Sequence, residues 1–157
     1  MLFVIDDVFS TLNLYEIYNT YNNNKQQSPS TWVPNNQANF CVRELSSIAS
    51  KVCNLSDAVG FEVWSHYNSR TGWHYDKNEK KYHETGVIEY PFCSIIYYPY
   101  VDVNLIGGIF QTEDGIEVKP RTNRAIIMSS GIKHNVTEFN GERFSLLINP
   151  WNRNILE

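Results

Sequence analysis

The sequence predicts a mainly β fold of the α+β type: a jelly roll (double-stranded β-helix) supported by two N-terminal helices. Two observations predict it, since apolar residues recur every three to four positions before Gly60 and every two positions after it. Helices followed by a run of about eight antiparallel strands indicate separate layers and a jelly roll. No repeat or linker divides the chain, so we expect a single domain over 1–157, with the supporting elements in 1–58 and the roll in 60–157.

The first elements are predicted from β-rich composition and capping residues. Leu2 to Ile5 is short and rich in β-forming residues, which indicates a strand at the edge of the main sheet. Ser10 or Thr11 then caps a helix, which the run Asn22 to Asn24 ends. A loop rich in Asn, Gln, Ser and Pro is expected over 22–36.

A second helix and the strands of the roll follow. Apolar residues at helical steps of four, three, four and three predict the helix: Cys41, Leu45, Ile48, Val52 and Leu55. Eight short segments of strand periodicity, separated by Gly, Pro, Asn and Asp turns, predict the roll: Phe61 to Tyr67, Thr71 to Asp76, Val87 to Tyr98, Ile106 to Gln111, Ile116 to Val118, Arg124 to Ser129, Val136 to Phe139 and Arg143 to Ile148. We expect the two helices to cover one outer face of the roll.

Composition fits a globular protein and argues against a nucleic-acid partner. The chain has 157 residues, of which 42% are hydrophobic and 14% aromatic, enough for one domain with a proper core. Its net charge is −4, and its basic residues are scattered along the sequence. A nucleic-acid surface needs a basic cluster, so we expect none.

The cysteines and the N-terminal residues predict a cytoplasmic protein. Cys41, Cys53 and Cys93 are odd in number and form no CxxC pair, which argues against a disulfide framework and a thiolate zinc site. Asp6 and Asp7 interrupt what would be the apolar core of a signal peptide, and no stretch is long enough to span a bilayer. We therefore expect a reducing compartment and no membrane partner.

Three residues form a candidate metal site. His74 and Asp76 stand two positions apart, and alternate residues of a strand point to one face. His134 follows Gly131 and precedes a predicted strand, so it can lie beside them at the mouth of the roll. Two histidines and one carboxylate with open positions is the arrangement that non-haem Fe(II) uses to activate oxygen. The alternative is a polar strand face, although the aromatic stretch Trp64 to Tyr75 favours a pocket.

Arg143 is a candidate anion-binding residue. It shares a strand face with Ser145 inside an otherwise apolar run that ends in Leu146 to Ile148. A guanidinium buried there needs an anion, because an unpaired buried charge is strongly destabilising. The anion is either an Asp or Glu of the roll, in a structural salt bridge, or a dicarboxylate ligand held in bidentate fashion.

The stretch from Tyr67 to Trp151 resembles the Fe(II)- and 2-oxoglutarate-dependent oxygenases, and within them the prolyl 4-hydroxylase-like branch. Several positions match in the order of the family: His74 and Asp76, Cys93 to Tyr98, Gly107 and Gly108, Pro120, His134, and Arg143 nine residues later. The ordered set is far more specific than any single member.

The resemblance implies iron bound by His74, Asp76 and His134, and 2-oxoglutarate bound through its distal carboxylate by Arg143 and Tyr98. It also assigns four further residues to the cosubstrate pocket or its neighbourhood: Ser145, Ser94, Ile96 and Tyr67. Of these, Ser145 would lie beside the arginine, and Tyr67 would lie near the metal or the other carboxylate.

The activity that the resemblance implies is hydroxylation of an unactivated C–H bond. It would consume O2 and 2-oxoglutarate, yield succinate and CO2, and accept ascorbate as an additional reductant. A prolyl or other peptide side chain is the leading substrate class, and a free small molecule is the alternative. Demethylation of nucleic-acid bases ranks lower, because the stretch Asn149 to Arg153 lacks the arginine-rich motif of that branch.

Two other hypotheses about function fit the same residues. A jelly-roll binding module could carry these residues without catalysis or around a structural metal, which normally has four protein ligands. A cupin-like isomerase or dioxygenase would bind iron and would not respond to 2-oxoglutarate.

Overall fold

The computed structural model describes residues 1–22 and 28–157, in which mostly antiparallel β-structure is accompanied by three helices. The helices are α1 (Thr11–Asn22), α2 (Phe40–Ala49) and α3 (Glu79–Thr85). The strands are β1 (Leu2–Ile5), β2 (Ser28–Pro34), β3 (Gly60–Tyr67), β4 (Cys93–Val101), β5 (Ile106–Gly107), β6 (Phe110–Thr112), β7 (Glu117–Val118), β8 (Arg124–Ser129), β9 (His134–Val136), β10 (Phe139–Asn140) and β11 (Arg143–Trp151).

A six-stranded antiparallel sheet forms the frame of the molecule. Its order is β1-β8-β4-β11-β3-β2, so β1 lies at one edge, as predicted from sequence. The central strand β11 pairs with β4 on one side and with β3 on the other. The shorter strands form a three-stranded sheet, β7-β6-β9, and a two-stranded sheet, β10-β5.

The two faces of the large sheet carry different cores, because successive side chains of a strand alternate between faces. Along β4, Ile95 and Tyr97 join the core that includes Leu45 of α2. Ile96 and Tyr98 belong to a second core, shared with Phe110 of the three-stranded sheet. The prediction that the two N-terminal helices cover one face of the sheet is confirmed. The side chains of the other face are available to form a site.

The helices begin at side-chain caps, which satisfy backbone N–H groups that have no partner within the helix. Ser10 Oγ accepts a hydrogen bond from the backbone of Asn13 at 3.3 Å, which confirms the predicted cap of α1. The side chain of Asn39 caps α2. Asn78 caps α3, which ends at Gly86 in the left-handed conformation, with φ of 70°.

The prediction of a loop over 22–36 is wrong where β2 lies. This segment pairs with β3 through partners such as Val33 and Phe61, and such long-range pairing leaves no local periodic pattern. Residues 23–27 lie outside the described residues, and they include Asn23 and Asn24, which were predicted to end the first helix. The second helix also stops earlier than its stripe suggests, since it ends at Ala49 in a turn and Val52 lies beyond its end.

Three predicted strands differ from the structure. Residues 71–76 form no extended strand, and only His74 makes an isolated antiparallel bridge, with His134. Strand β4 begins at Cys93 rather than at residue 87, because Pro91 lacks the N–H that a strand ladder requires. The stretch from 106 to 111 is broken into β5 and β6 by Gly107 and Gly108, whose φ angles are 80° and 67°.

Two further differences concern helix α3 and the region after His134. Helix α3 was not predicted, because it is one short helix with no buried residue and therefore no apolar stripe. Strand β9 begins at His134 itself, and the predicted strand from 136 to 139 is divided between β9 and β10. Within the described residues, no helix has both the length and the apolar character needed to cross a membrane.

Replacing Leu45 with Ala should lower the free energy of unfolding by about 2 to 5 kcal/mol, because this side chain is fully buried between α2 and the large sheet. Leu12→Ala on α1 is the control, since Leu12 is 69% exposed and surface changes stay within about 0.5 kcal/mol. Urea unfolding measures both variants. Equal, small losses would mean that α2 does not pack on the sheet.

Candidate active site

A cavity of about 310 Å³ lies on the face of the large sheet opposite the helices. Its floor is formed by side chains of β3, β4 and β11 that share this face, among them Trp64, Ile96 and Leu147. Small-molecule pockets measure roughly 300 to 1,000 Å³, so this cavity is at the small end of that range. His74 and Asp76 line it from the segment after β3, and His134 lines it from β9.

His74, Asp76 and His134 converge on one point of the cavity. One potential ligand atom from each lies within 4.8 Å of the others. The Nε2 atoms of His74 and His134 are 3.5 Å and 3.7 Å from Asp76 Oδ1. Reciprocal backbone hydrogen bonds of 3.0 Å and 2.9 Å between the two histidines hold the rings side by side. The bridge therefore replaces the continuous strand as the element that aligns the group.

The hydrogen bonds of the His74 and His134 rings determine which ring nitrogen of each faces Asp76. His74 Nδ1 is 2.7 Å from the carbonyl of Gly72, and His134 Nδ1 is 2.9 Å from the carbonyl of Ile132. A carbonyl only accepts, so each Nδ1 carries a proton and donates it. In the neutral rings the Nε2 lone pairs then point toward Asp76, which is the arrangement of metal-binding histidines.

The carboxylate of Asp76 carries the negative charge of the group. Burial raises the pKa of Asp76, but its neighbours His74 and His134 outweigh burial and hold the pKa below the ordinary value, so the carboxylate is charged. Burial lowers the pKa of His134, which favours the neutral imidazole. Burial also opposes protonation of His74, yet the carboxylate of Asp76 and the carbonyl of Gly72 outweigh it and raise the pKa of that ring.

Arg143 places an unpaired positive charge in the same cavity. Its side chain is 3% exposed, and its Nε and Nη1 atoms have no hydrogen-bond partner in the described structure. Nη2 is 3.5 Å from Ser145 Oγ, and the guanidinium carbon lies 5.3 Å from the ring centroids of both Tyr98 and Phe139. No carboxylate of the described residues forms an ion pair with it. The structural salt bridge considered from sequence is therefore not seen in this part of the chain.

Tyr98 points a second unsatisfied polar group toward the part of the cavity that Arg143 lines. Its hydroxyl is buried and lacks a hydrogen-bond partner in the described structure. Burial raises the pKa of the phenol, although the charge of Arg143 opposes the rise, so the group is a neutral donor. A buried donor beside a buried guanidinium favours an anionic ligand such as a carboxylate.

The structure brings together most residues predicted for the site. Ile96, Tyr98, Arg143 and Ser145 line the cavity with the three candidate metal ligands. Ser94 lies beside the carboxyl of Asp76 and helps to lower its pKa, which places it behind the group rather than at the pocket wall.

Tyr67 does not line the cavity, unlike most of the other residues that were predicted to contact the cosubstrate from β4 and β11. It pairs in register with Phe144, and the two rings are 6.2 Å apart. The neighbouring residues His66 and Ser145 face the cavity, and the alternation of the strand therefore turns Tyr67 to the opposite face.

Two buried polar residues of the cavity were missed from sequence. Glu62 and Asn149 line it and are 9% and 2% exposed. Burial raises the pKa of Glu62, and the negative charge of Asp76 adds to the rise. Their signal was a polar residue in a mostly apolar strand, four positions from His66 on β3 and from Ser145 on β11 and therefore on the same strand face.

Comparisons with known proteins identify the fold of the chain. No protein-family model and no curated sequence matches the chain. A Pseudomonas putida prolyl-4-hydroxylase matches its structure with a TM-score of 0.69 and 15% identity, covering 98% of this chain and 93% of that one. A prolyl hydroxylase from Trichoplax adhaerens, in complex with a fragment of the hypoxia inducible factor oxygen degradation domain, matches with a TM-score of 0.68 and 12% identity, over 96% and 83% of the two chains.

A viral enzyme also matches the structure of the chain. The collagen prolyl hydroxylase of Paramecium Bursaria Chlorella virus-1, in its 2-oxoglutarate complex, matches with a TM-score of 0.67 and 11% identity, over 95% of this chain and 94% of that one. The likeness extends over nearly the whole chain in each case. The chain therefore has the fold of these prolyl hydroxylases.

Proposed function

We propose that the protein is an Fe(II)- and 2-oxoglutarate-dependent oxygenase that hydroxylates an unactivated C–H bond. One observation carries the proposal: a group of two histidines and one carboxylate shares a small cavity with the unpaired guanidinium of Arg143. The structural likeness to prolyl hydroxylases, one of them in a 2-oxoglutarate complex, supports it.

The fold assignment within this proposal is a single jelly-roll domain over residues 1–157. The large sheet faces the three-stranded sheet across the second apolar core, and antiparallel sheets packed in this way are typical of jelly rolls. The cytoplasmic location stays a prediction from sequence.

The donor set fits Fe(II). His74, Asp76 and His134 would hold the metal through Nε2, a carboxylate oxygen and Nε2, and two imidazoles with one carboxylate are the donors that non-haem iron uses. Gly72 and Ile132 orient the imidazoles through their carbonyls. A closed structural site would require a fourth protein ligand, and only these three converge among the described residues.

The far end of the cavity fits a dicarboxylate. Arg143 offers a planar fork of donors, and the hydroxyl groups of Tyr98 and Ser145 lie at the same end. We propose that they bind the distal carboxylate of 2-oxoglutarate, while Ile96 and Leu147 contact its chain. A cupin-like enzyme without cosubstrate would leave this guanidinium without an anion.

The protein's own residues bind, orient and exclude water. When bound, iron and 2-oxoglutarate supply the oxidising chemistry, in which O2 is consumed, succinate and CO2 are formed and one oxygen atom enters the substrate. The buried floor of β4 and β11 keeps water from the cosubstrate end. A prolyl or other peptide side chain is the leading substrate class, in line with the peptide complex of the Trichoplax adhaerens neighbour, and a free small molecule is the alternative.

His134→Ala should weaken Fe(II) binding by more than about 100-fold, because losing even an outer partner of a metal ligand costs about 10- to 100-fold. Anaerobic titration measures the affinity. His83→Ala is the matched control, since His83 is exposed on α3, and it should bind iron as the unmodified protein does. Retention of full affinity in His134→Ala would remove this residue from the metal site.

Arg143→Ala should abolish 2-oxoglutarate binding and leave metal binding intact, while Arg143→Lys should weaken it moderately, because Lys keeps the charge and loses the fork. The loss in Arg143→Ala is expected at about 2 to 5 kcal/mol, from a buried charge pair. Calorimetric titration of 2-oxoglutarate into the anaerobic Mn(II) protein measures it.

Arg121→Ala is the control for Arg143, since Arg121 is a surface residue that pairs with Asp6 and Asp7. Circular dichroism confirms folding of each variant. A folded Arg143→Ala protein that binds 2-oxoglutarate normally would contradict the proposed function.

Tyr98→Phe should weaken 2-oxoglutarate binding by about 1.5 to 3 kcal/mol, the usual worth of one hydrogen bond to a charged group, with metal affinity unchanged. The same titration measures it. Tyr15→Phe is the control, because Tyr15 is 64% exposed on α1. Unchanged affinity in Tyr98→Phe would mean that this hydroxyl does not meet the carboxylate.

A further inference from the structure

The cavity has a second polar end, opposite to Arg143. Glu62 on β3 and Asn149 on β11 are direct partners across the two strands, and both line the cavity. Asn149 is on the same strand face as Arg143 and six residues away from it, which corresponds to roughly 20 Å along the strand. Apolar Leu147 and Ile96 separate the two ends.

The candidate metal group lies on the side of Glu62 and Asn149. The register that pairs Leu147 with Ile96 brings Asn149 next to Ser94, and Ser94 lies beside Asp76. The negative charge of Asp76 also acts on Glu62. A cosubstrate that extends from Arg143 to the metal therefore leaves the Glu62 end for the substrate.

The unsatisfied atom at this end is a hydrogen-bond acceptor. Asn149 is 2% exposed, and its Oδ1 has no hydrogen-bond partner in the described structure. Glu62 is 9% exposed and forms no salt bridge with a described residue, although the side chains of Ser30 and Trp151 lie beside its carboxyl. A ligand that satisfies Asn149 Oδ1 must therefore donate a hydrogen bond, and a ligand that donates can also reach the carboxyl of Glu62.

The surrounding charges favour a cationic donor over a neutral one. Glu79 also lines the cavity and its charge acts on Glu62, but Lys77 is already bound to Glu79 at 2.7 Å. A metal would compensate Asp76, and a cation bound beside Glu62 would favour the charged form of its carboxyl, whose pKa burial and Asp76 otherwise raise. Trp64, two residues further along β3, lines the cavity with an aromatic ring, the kind of surface on which cations bind.

We propose that Glu62 and Asn149 form a subsite for a cationic nitrogen of the primary substrate, an ammonium or guanidinium group held near the metal. This inference rests on the proposed function and narrows its substrate class. The cation can come from a free amino acid or amine, or from a basic side chain of a peptide. Because the cavity is small, it accommodates one side chain or one small molecule beside 2-oxoglutarate.

The test compares cationic with neutral probes on the unmodified protein. Each probe is titrated by calorimetry into the anaerobic Mn(II) protein saturated with 2-oxoglutarate. The free L-amino acids test the α-ammonium source, and Nα-acetyl-lysine amide and Nα-acetyl-arginine amide test the peptide source. Nα-acetyl-proline amide and Nα-acetyl-leucine amide are the neutral probes. We expect at least one cationic probe to bind, and the neutral probes to bind at least about 30-fold more weakly.

Glu62→Gln tests the residue itself. It should weaken binding of the cationic probe by at least about 30-fold, with 2-oxoglutarate affinity unchanged. Glu113→Gln, an exposed glutamate in the turn between β6 and β7, is the matched control and should bind the probe normally. If Glu62→Gln fails to fold, the comparison of probes on the unmodified protein still decides.

Three results would overturn the inference: binding of neutral probes as tight as that of cationic ones, no cationic probe bound, or unchanged probe affinity in a folded Glu62→Gln protein. The last result would make Glu62 a structural partner of Ser30 on the neighbouring strand. The 2-oxoglutarate titration in the same samples separates the two proposals. In the unmodified protein, absence of probe binding while 2-oxoglutarate binds rejects the subsite alone, whereas failure to bind 2-oxoglutarate rejects the proposed function.

Discussion

The alternation of side chains across the six-stranded sheet is the constraint on which the site depends. On β4, Ile95 and Tyr97 pack under the helices, and this places Ile96 and Tyr98 on the cavity floor. A shift of one residue in register would exchange the two sets. The helices therefore act on the site indirectly, because burying one face fixes which residues the other face presents.

Within that frame, electrostatics decide what the cavity can hold. A buried guanidinium without a counter-ion at one end, and a charged carboxylate between two imidazoles nearer the other, are both unfavourable when left alone. An anion and a divalent cation would satisfy them together. The cavity is thus preorganised at a cost in stability, and ligands recover that cost on binding.

The residues of the candidate metal site could be predicted from sequence, although the structural feature that brings them together is not the one expected. The residues His74, Asp76 and His134 were chosen from strand spacing and from their order in a family, and the structure brings them together. They meet through a single backbone bridge and a turn rather than along one strand. Local spacing therefore identified the residues, whereas the geometry that unites them is long-range.

The features that were missed share a cause. Strand β2 depends on pairing with β3, some thirty residues later, and helix α3 has no buried face to leave a periodic pattern. Tyr67 was assigned from the resemblance to a family, whereas the face on which it lies depends on the phase of β3, which only the pairing with β11 fixes. Glu62 was passed over because burial of a single carboxyl on a strand depends on the strands packed beside it.

The central claim is that a metal and 2-oxoglutarate occupy this cavity together. The most direct measurement is the visible absorption spectrum of the anaerobic Fe(II) protein before and after addition of 2-oxoglutarate. We predict that a weak charge-transfer band appears on addition, because 2-oxoglutarate would bind the iron directly. A folded protein with iron bound that shows no such band at saturating 2-oxoglutarate would contradict the claim.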